Sequence, residues 1–139
     1  MSRIKKALID SIKPLYRALP IMIGVILLIS MASILIPKTA FAALFRNNLI
    51  LDPIVAAFLG SILAGNPVTS YILGGEFISL GISLVAVTAF IVSWVTVGLI
   101  QLPAEIMMLG KKFSITRNIL SFIFSIIVAI ITVLILGVL

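Results

Sequence analysis

The feature that most constrains this chain is a proline set in the middle of an apolar run. Residues 53–76 carry Pro-Ile-Val-Ala-Ala-Phe-Leu-Gly-Ser-Ile-Leu-Ala-Gly before Asn66-Pro67, and Val-Thr-Ser-Tyr-Ile-Leu-Gly-Gly-Glu after it. The run is hydrophobic enough to enter a bilayer, yet it cannot be one helix. Pro67 has no N–H and its ring clashes with the preceding turn, while Asn66, as the residue before proline, is driven out of the α region. Broken backbone at membrane depth survives only where protein or a water-filled cavity surrounds it, and discontinuous helices are where many transporters hold their cargo.

Composition confirms the setting. Of 139 residues, 63% are hydrophobic and 10% charged, against about 25% charged in a soluble domain. The chain therefore reads as an all-α integral membrane protein. Its net charge of +6 lies in short blocks beside hydrophobic runs, a pattern of membrane topology and not of nucleic-acid binding. With no Cys and no His, Cys/His metal sites, disulfides and Cys- or His-based catalysis are excluded. No cofactor motif is present, and no GxxxxGK[ST] nucleotide loop.

Residues 1–18 carry Arg3, Lys5, Lys6, Lys13 and Arg17, with Ile4, Leu8, Ile12 and Leu15 at helical spacing, and predict an amphipathic helix on the membrane surface. Residues 19–139 form a single membrane domain, with a first full span at 19–36. Ala40-Phe41-Ala42 imitates a signal-peptidase site, but the apolar core before it is longer than the 7–15 residues of a signal peptide, so the helix is expected to be retained. Residues 38–52 mix apolar and polar side chains as a short interfacial helix would. Asp52-Pro53 then supplies an N-cap and a first helical residue.

Charge chooses between two topologies for residues 53–75. If they return as a re-entrant hairpin, the inside carries the five N-terminal bases with Lys111, Lys112 and Arg117, and the outside only Lys38 and Arg46. If they cross, the two sides carry equal numbers. The positive-inside rule selects the hairpin, with a cytoplasmic N-terminus in a multi-pass protein of the cell membrane. Further full spans are expected at 77–101 and 119–139, joined by a short cytoplasmic connector.

The pathway candidates follow from these assignments. Asn66, Pro67, Thr69, Ser70 and Tyr71 cluster at the hairpin tip, where free amides opening the second half-helix would face an anion or a polar group; the alternative is a tight, satisfied turn. Glu76 is either an interfacial residue in water or a charge at the pathway mouth. Ser79, Ser83, Ala86 and Ser93 fall within about 80° on a helical wheel, either lining a path or packing a neighbour. Trp94 lies too deep for an interfacial belt and is assigned to packing. Gln101 and Glu105 flank Pro103, where a carboxylate beside a break would bind a coupling ion or simply complement a helix dipole. The four acids, Asp10, Asp52, Glu76 and Glu105, all lie near expected boundaries. That leaves neither paired acids nor an acid to serve as base for a nucleophile at depth, as an intramembrane enzyme would need.

The run Gly98-Leu99-Ile100-Gln101-Leu102-Pro103-Ala104-Glu105-Ile106-Met107-Met108-Leu109-Gly110-Lys111-Lys112-Phe113, followed by Arg117-Asn118 and an aliphatic helix, resembles a domain end in the YraQ/ArsP-like predicted permeases. Gly65-Asn66-Pro67 with Thr69 and Tyr71 is similar to the same family. The resemblance covers roughly residues 53–139 and implies a multi-span permease of two such halves, some members exporting trivalent organoarsenicals. This chain corresponds to about half the usual length and has no Cys to offer a thiolate ligand. The expectation is thus a half-size permease: three full transmembrane helices and a broken re-entrant hairpin. It would pair with itself or with a second half to carry an unknown small solute. The rival is a non-transporting accessory subunit whose polar positions serve helix packing.

Overall fold

The computed structural model describes residues 3–35, 37, 39–40, 43–63 and 67–138, and the described residues are helical without strands. Among the described residues the main helices follow in order: α1 (Arg3–Leu35), α2 (Leu51–Ile62), α3 (Pro67–Ser79), α4 (Leu84–Thr96), α5 (Leu102–Leu109) and α6 (Lys111–Val138). The expected surface helix and first span are one continuous helix of 33 residues, α1, which runs through Pro14 and Pro20 and packs mainly on α5. Among the described residues, α6 is the one helix long and apolar enough to cross a bilayer, while α2 and α4 are apolar but short. Their 12 and 13 residues extend about 18–20 Å, against a hydrocarbon core of about 30 Å.

The core is the contact between α2 and α4, and small residues make it. Ala56, Ala57, Gly60 and Ser61 on α2 are buried, as are Ala86, Ala89 and Ser93 on α4. The two backbones come so close that a Cβ on Gly60 would lie 2.4 Å from the Phe90 carbonyl oxygen. Ser93 Oγ donates to the Ala57 carbonyl at 2.5 Å, and Leu99 N donates to the Ser61 carbonyl at 3.4 Å. The last bond joins the C-terminal end of α2 to the residues just past the C-terminal end of α4, so α2 and α4 run in the same direction. Helices in lipid associate by such close approach, because apolar burial alone drives little there.

The expected continuous span at 77–101 is overturned: the chain turns between α3 and α4. Ile82 N bonds the Phe77 carbonyl at 3.0 Å and Gly81 N bonds the Ile78 carbonyl at 2.9 Å, with Gly81 at φ 86°. This is a Schellman motif, in which a glycine in the left-handed region closes the last turn. Phe77 and Ile82, the apolar pair that completes the motif, are both in the core. Ser83 then caps α4, accepting from Ala86 N at 3.3 Å. Folded back, α3 lays Gly74 against Val87 and Ile91 of α4. With α2 parallel to α4 and α3 returning along it, the chain reverses between Ile62 and Pro67. An aromatic series, Phe45, Phe77, Phe90 and Trp94, threads loop, α3 and α4 at centroid spacings of 6.1, 5.2 and 5.4 Å. Trp94 is therefore a packing residue.

Two boundaries differ in detail from expectation. Asp52 is not the cap of α2: Asn48 Oδ1 accepts from Ile50 N and Leu51 N, while the buried Asp52 carboxylate accepts from Arg46 N at 3.1 Å. Asp52 thus ties down the incoming loop, and residues 43–50 are turns without a helix. At the other end, the expected connector is α5 and the first two turns of α6, separated only by Gly110 at φ 90°.

With the helices placed, an internal repeat emerges. Pro67, Leu73, Gly74 and Phe77 recur as Pro103, Leu109, Gly110 and Phe113, each 36 positions later, the separation that also relates the contacting Ala57 and Ser93. Each unit is a short apolar helix, a break, and a helix opening at proline. One equivalent pair, Ala57 and Ser93, meets where the parallel helices touch.

Candidate functional site at two adjacent helix breaks

The helix interrupted before Pro67 and the helix interrupted before Pro103 end side by side. α2 closes at Leu63, whose N–H returns to the Leu59 carbonyl at 3.1 Å; α4 closes at Val97, whose N–H returns to the Ser93 carbonyl at 2.8 Å. Both closing residues have extended backbone, with ψ of 131° and 111°. A small cavity of about 50 Å³ sits between the ends, lined by Ser61, Leu63, Trp94, Gly98 and Gln101 among others. A wider groove of about 380 Å³ opens beside it, walled by Phe58, Ser61, Val97, Leu99, Asn118 and Phe122.

The second break is held by side chains of α6. Asn118 Oδ1 accepts from Gly98 N at 3.0 Å, and Asn118 Nδ2 donates to Glu105 Oε2 at 3.1 Å and to the Ser114 carbonyl at 3.0 Å. Arg117 is paired with Glu105 and reaches the Thr96 carbonyl at 3.5 Å. Backbone groups that a broken helix leaves without intrahelical partners are thereby satisfied. Asn118 is buried, with 5% of its surface exposed. The Arg117–Glu105 pair is partly wet, at 37% and 16%. Antiparallel packing of α6 on α4 places Asn118 level with Gly98. Asn118 lies seven residues into α6, or about 10 Å from the start of that helix.

The expected site residues distribute unevenly over this frame. Gln101 lies at the second break, folded over Gly98, with its Oε1 3.0 Å from where a Cβ on Gly98 would stand. Glu105 is joined to it through Asn118. Ser93 sits one helical turn before the break, and its hydroxyl is engaged by the Ala57 carbonyl. Pro67, Thr69 and Tyr71 are on the exposed side of α3, while Ser70 is fully buried and donates to the Pro67 carbonyl at 2.6 Å. Ser83 caps the far end of α4 and Ser79 belongs to α3, so the serine stripe does not run along one helix. Glu76 is half-buried on α3. Asn66, with Ala64 and Gly65, lies outside the described residues.

Sequence reasoning missed Asn118 and the partnership of Arg117 with Glu105. In the sequence Arg117 counts only toward the inside charge and Asn118 only leads into the last span, although a polar Arg-Asn pair opening an aliphatic helix is the signal that marks them. Comparison of the chain with family models, curated proteins and solved structures finds no match.

Proposed function

We propose that this chain is a membrane permease unit for a small solute, with the paired breaks at residues 63–67 and 97–101 as its pathway. One observation carries the reading: two short apolar helices stop side by side about 10 Å below the start of the spanning-length α6. Their ends therefore lie inside the bilayer if α6 spans it. Interrupted helices meeting at depth are how many transporters bind cargo; here Gly98 N and the Thr96 carbonyl are held by Asn118 and Arg117, which leaves the Gln101 side chain as a polar group lining the gap. The chain reversal before Pro67 supports a re-entrant hairpin, with α2 and α4 both descending toward the side that carries Lys111, Lys112 and Arg117. A single unit leaves α3 exposed at Val68, Tyr71 and Ile72, and pairing with a second copy or second half closes the path. Gln101 faces the gap, and the Glu105–Arg117–Asn118 cluster holds its wall. The resemblance to YraQ/ArsP-like permeases points the same way.

The second reading, an accessory subunit, is favoured by a different observation. Ser61, Ser70, Ser93 and Asn118 all make hydrogen bonds within the chain, as packing residues do. Reconstitution of the purified full chain separates the two. Solute-dependent swelling of proteoliposomes is measured across a panel of small neutral and charged solutes, beside size-exclusion profiles. Permeation that falls about tenfold in Gln101→Leu with assembly unchanged supports transport. Absence of permeation for every solute in correctly assembled protein, with Gln101→Leu and Glu105→Gln impairing assembly alone, decides for the accessory subunit.

A further inference from the structure

At the α5–α6 corner, Lys111 and Lys112 and the groove beside them form a surface that, Arg117 apart, the proposed pathway does not use. Lys111, Lys112 and Arg117 fall within the first two turns of α6. Glu105 pairs with Arg117, and among the described residues Lys111 and Lys112 have no ion pair. From this corner an apolar groove of about 440 Å³ runs between α4 and α6, walled by Val92, Phe113, Leu120, Phe124 and Val128, with Arg117 at its basic end. A second concavity at Lys111 and Lys112 joins it, since Phe113 and Thr116 line both. Phe113 to Val128 spans about 22 Å of helix, enough to hold a chain that crosses one leaflet of about 15 Å.

We propose that this surface binds one anionic phospholipid, its headgroup phosphate on Lys111 and Lys112 and one acyl chain along the α4–α6 groove. The inference rests on α6 lying in the bilayer and not on transport. Charge complementarity argues for the lipid: a cationic cluster at the mouth of an apolar slot matches an anionic amphiphile and little else in a membrane. It also argues against a second copy, because a symmetric pair is self-complementary and would set the same lysines against each other across the groove. An apolar chain without a charged head would leave the lysines unused.

The probes are phosphatidylglycerol and phosphatidylcholine of identical acyl chains, titrated onto the full chain in detergent and read by native mass spectrometry. Phosphatidylglycerol is expected to bind about tenfold more tightly, and Lys111→Gln with Lys112→Gln to remove that preference, each base near the surface contributing a several-fold factor. Both lysines are exposed, so the lipid-free thermal transition followed by Trp94 fluorescence should not move in the double variant. Ser121→Phe, which fills the groove, should weaken both lipids. Equal binding of the two lipids, or a preference that survives in the double variant, overturns the proposal. So does glycerol 3-phosphate competing as well as the intact lipid, which would indicate a headgroup site alone. Disulfide cross-linking of Ser121→Cys in membranes would assign the groove to a second copy instead.

Discussion

The two helix breaks occupy equivalent positions in a repeat of 36 residues, yet they are held in different ways. At the first, most described polar groups find partners close by in sequence: Leu63 N returns four residues to Leu59, Ser61 donates three residues back to Phe58, and Ser70 three residues back to Pro67, while the Ser61 carbonyl also accepts from Leu99 N of the second break. At the second, Val97 N likewise returns four residues to Ser93, but further partners come from 20 and 21 residues away, through Asn118 to Gly98 and Arg117 to Thr96. A bond closed within one helical turn needs only a fitting local sequence. A break closed from a distant helix also needs the tertiary fold, and its geometry moves with that helix. The second break is thus the one that α6 can adjust, and Gln101 and Glu105 lie on it.

The comparison can be tested by substitution, read from the Trp94 fluorescence of the full chain during unfolding in mixed micelles. The largest effect is expected at the contact that brings the breaks together. Gly60→Ala sets a methyl group against the Phe90 carbonyl, which only a shift of the α2 backbone relieves, so a loss of about 3 kcal/mol is expected. Gly74→Ala meets the flexible Ile91 side chain at 2.9 Å and should cost about 1 kcal/mol. If the two glycine variants are equally destabilising, the α2–α4 contact is not the tighter one.

Next in size is Asn118→Leu, which leaves Gly98 N unsatisfied and removes a donor from Glu105. A loss of about 2 kcal/mol is expected, with faster hydrogen exchange confined to residues 97–101. Exchange that rises equally at both breaks would show that the first depends on α6 as well.

A double-mutant cycle of Arg117→Gln and Glu105→Gln should give a smaller coupling, about 1 kcal/mol, because the pair is partly exposed. Raising the salt concentration should reduce it. Smallest is Ser70→Ala, at about 0.5 kcal/mol: its bond lies within one helical turn, and its loss leaves the Pro67 carbonyl on an exposed residue. A loss above that of Asn118→Leu would reverse the contrast between locally and remotely held breaks.

How far residues alone lead can be judged element by element. The break before Pro67 was legible because proline acts locally: it lacks a donor and restricts its predecessor whatever surrounds it. The same holds for Pro103 in the first turn of α5, and for the uninterrupted aliphatic run of α6. The turn at residues 80–83 escaped because hydropathy is blind to it. Leu80, Gly81 and Ile82 are as apolar on average as a span, and the Schellman bonds satisfy the backbone inside the turn, so no polar residue had to mark it. The sequence sign was there in Gly81 followed by Ser83, a left-handed closing residue and then a cap.

What the sequence by itself determined is the interruptions before Pro67 and Pro103 and the apolar surface, since these follow from single residues and from composition. Which interruptions meet was decided only by the tertiary structure. The parallel contact of α2 with α4 depends on Gly60, Ala57 and Ser93 finding one another across 36 residues. The closure of the second break depends on α6 folding back to deliver Asn118. Proline removes a backbone donor through its own covalent geometry, whereas an orphaned amide finds its partner only after distant elements have packed.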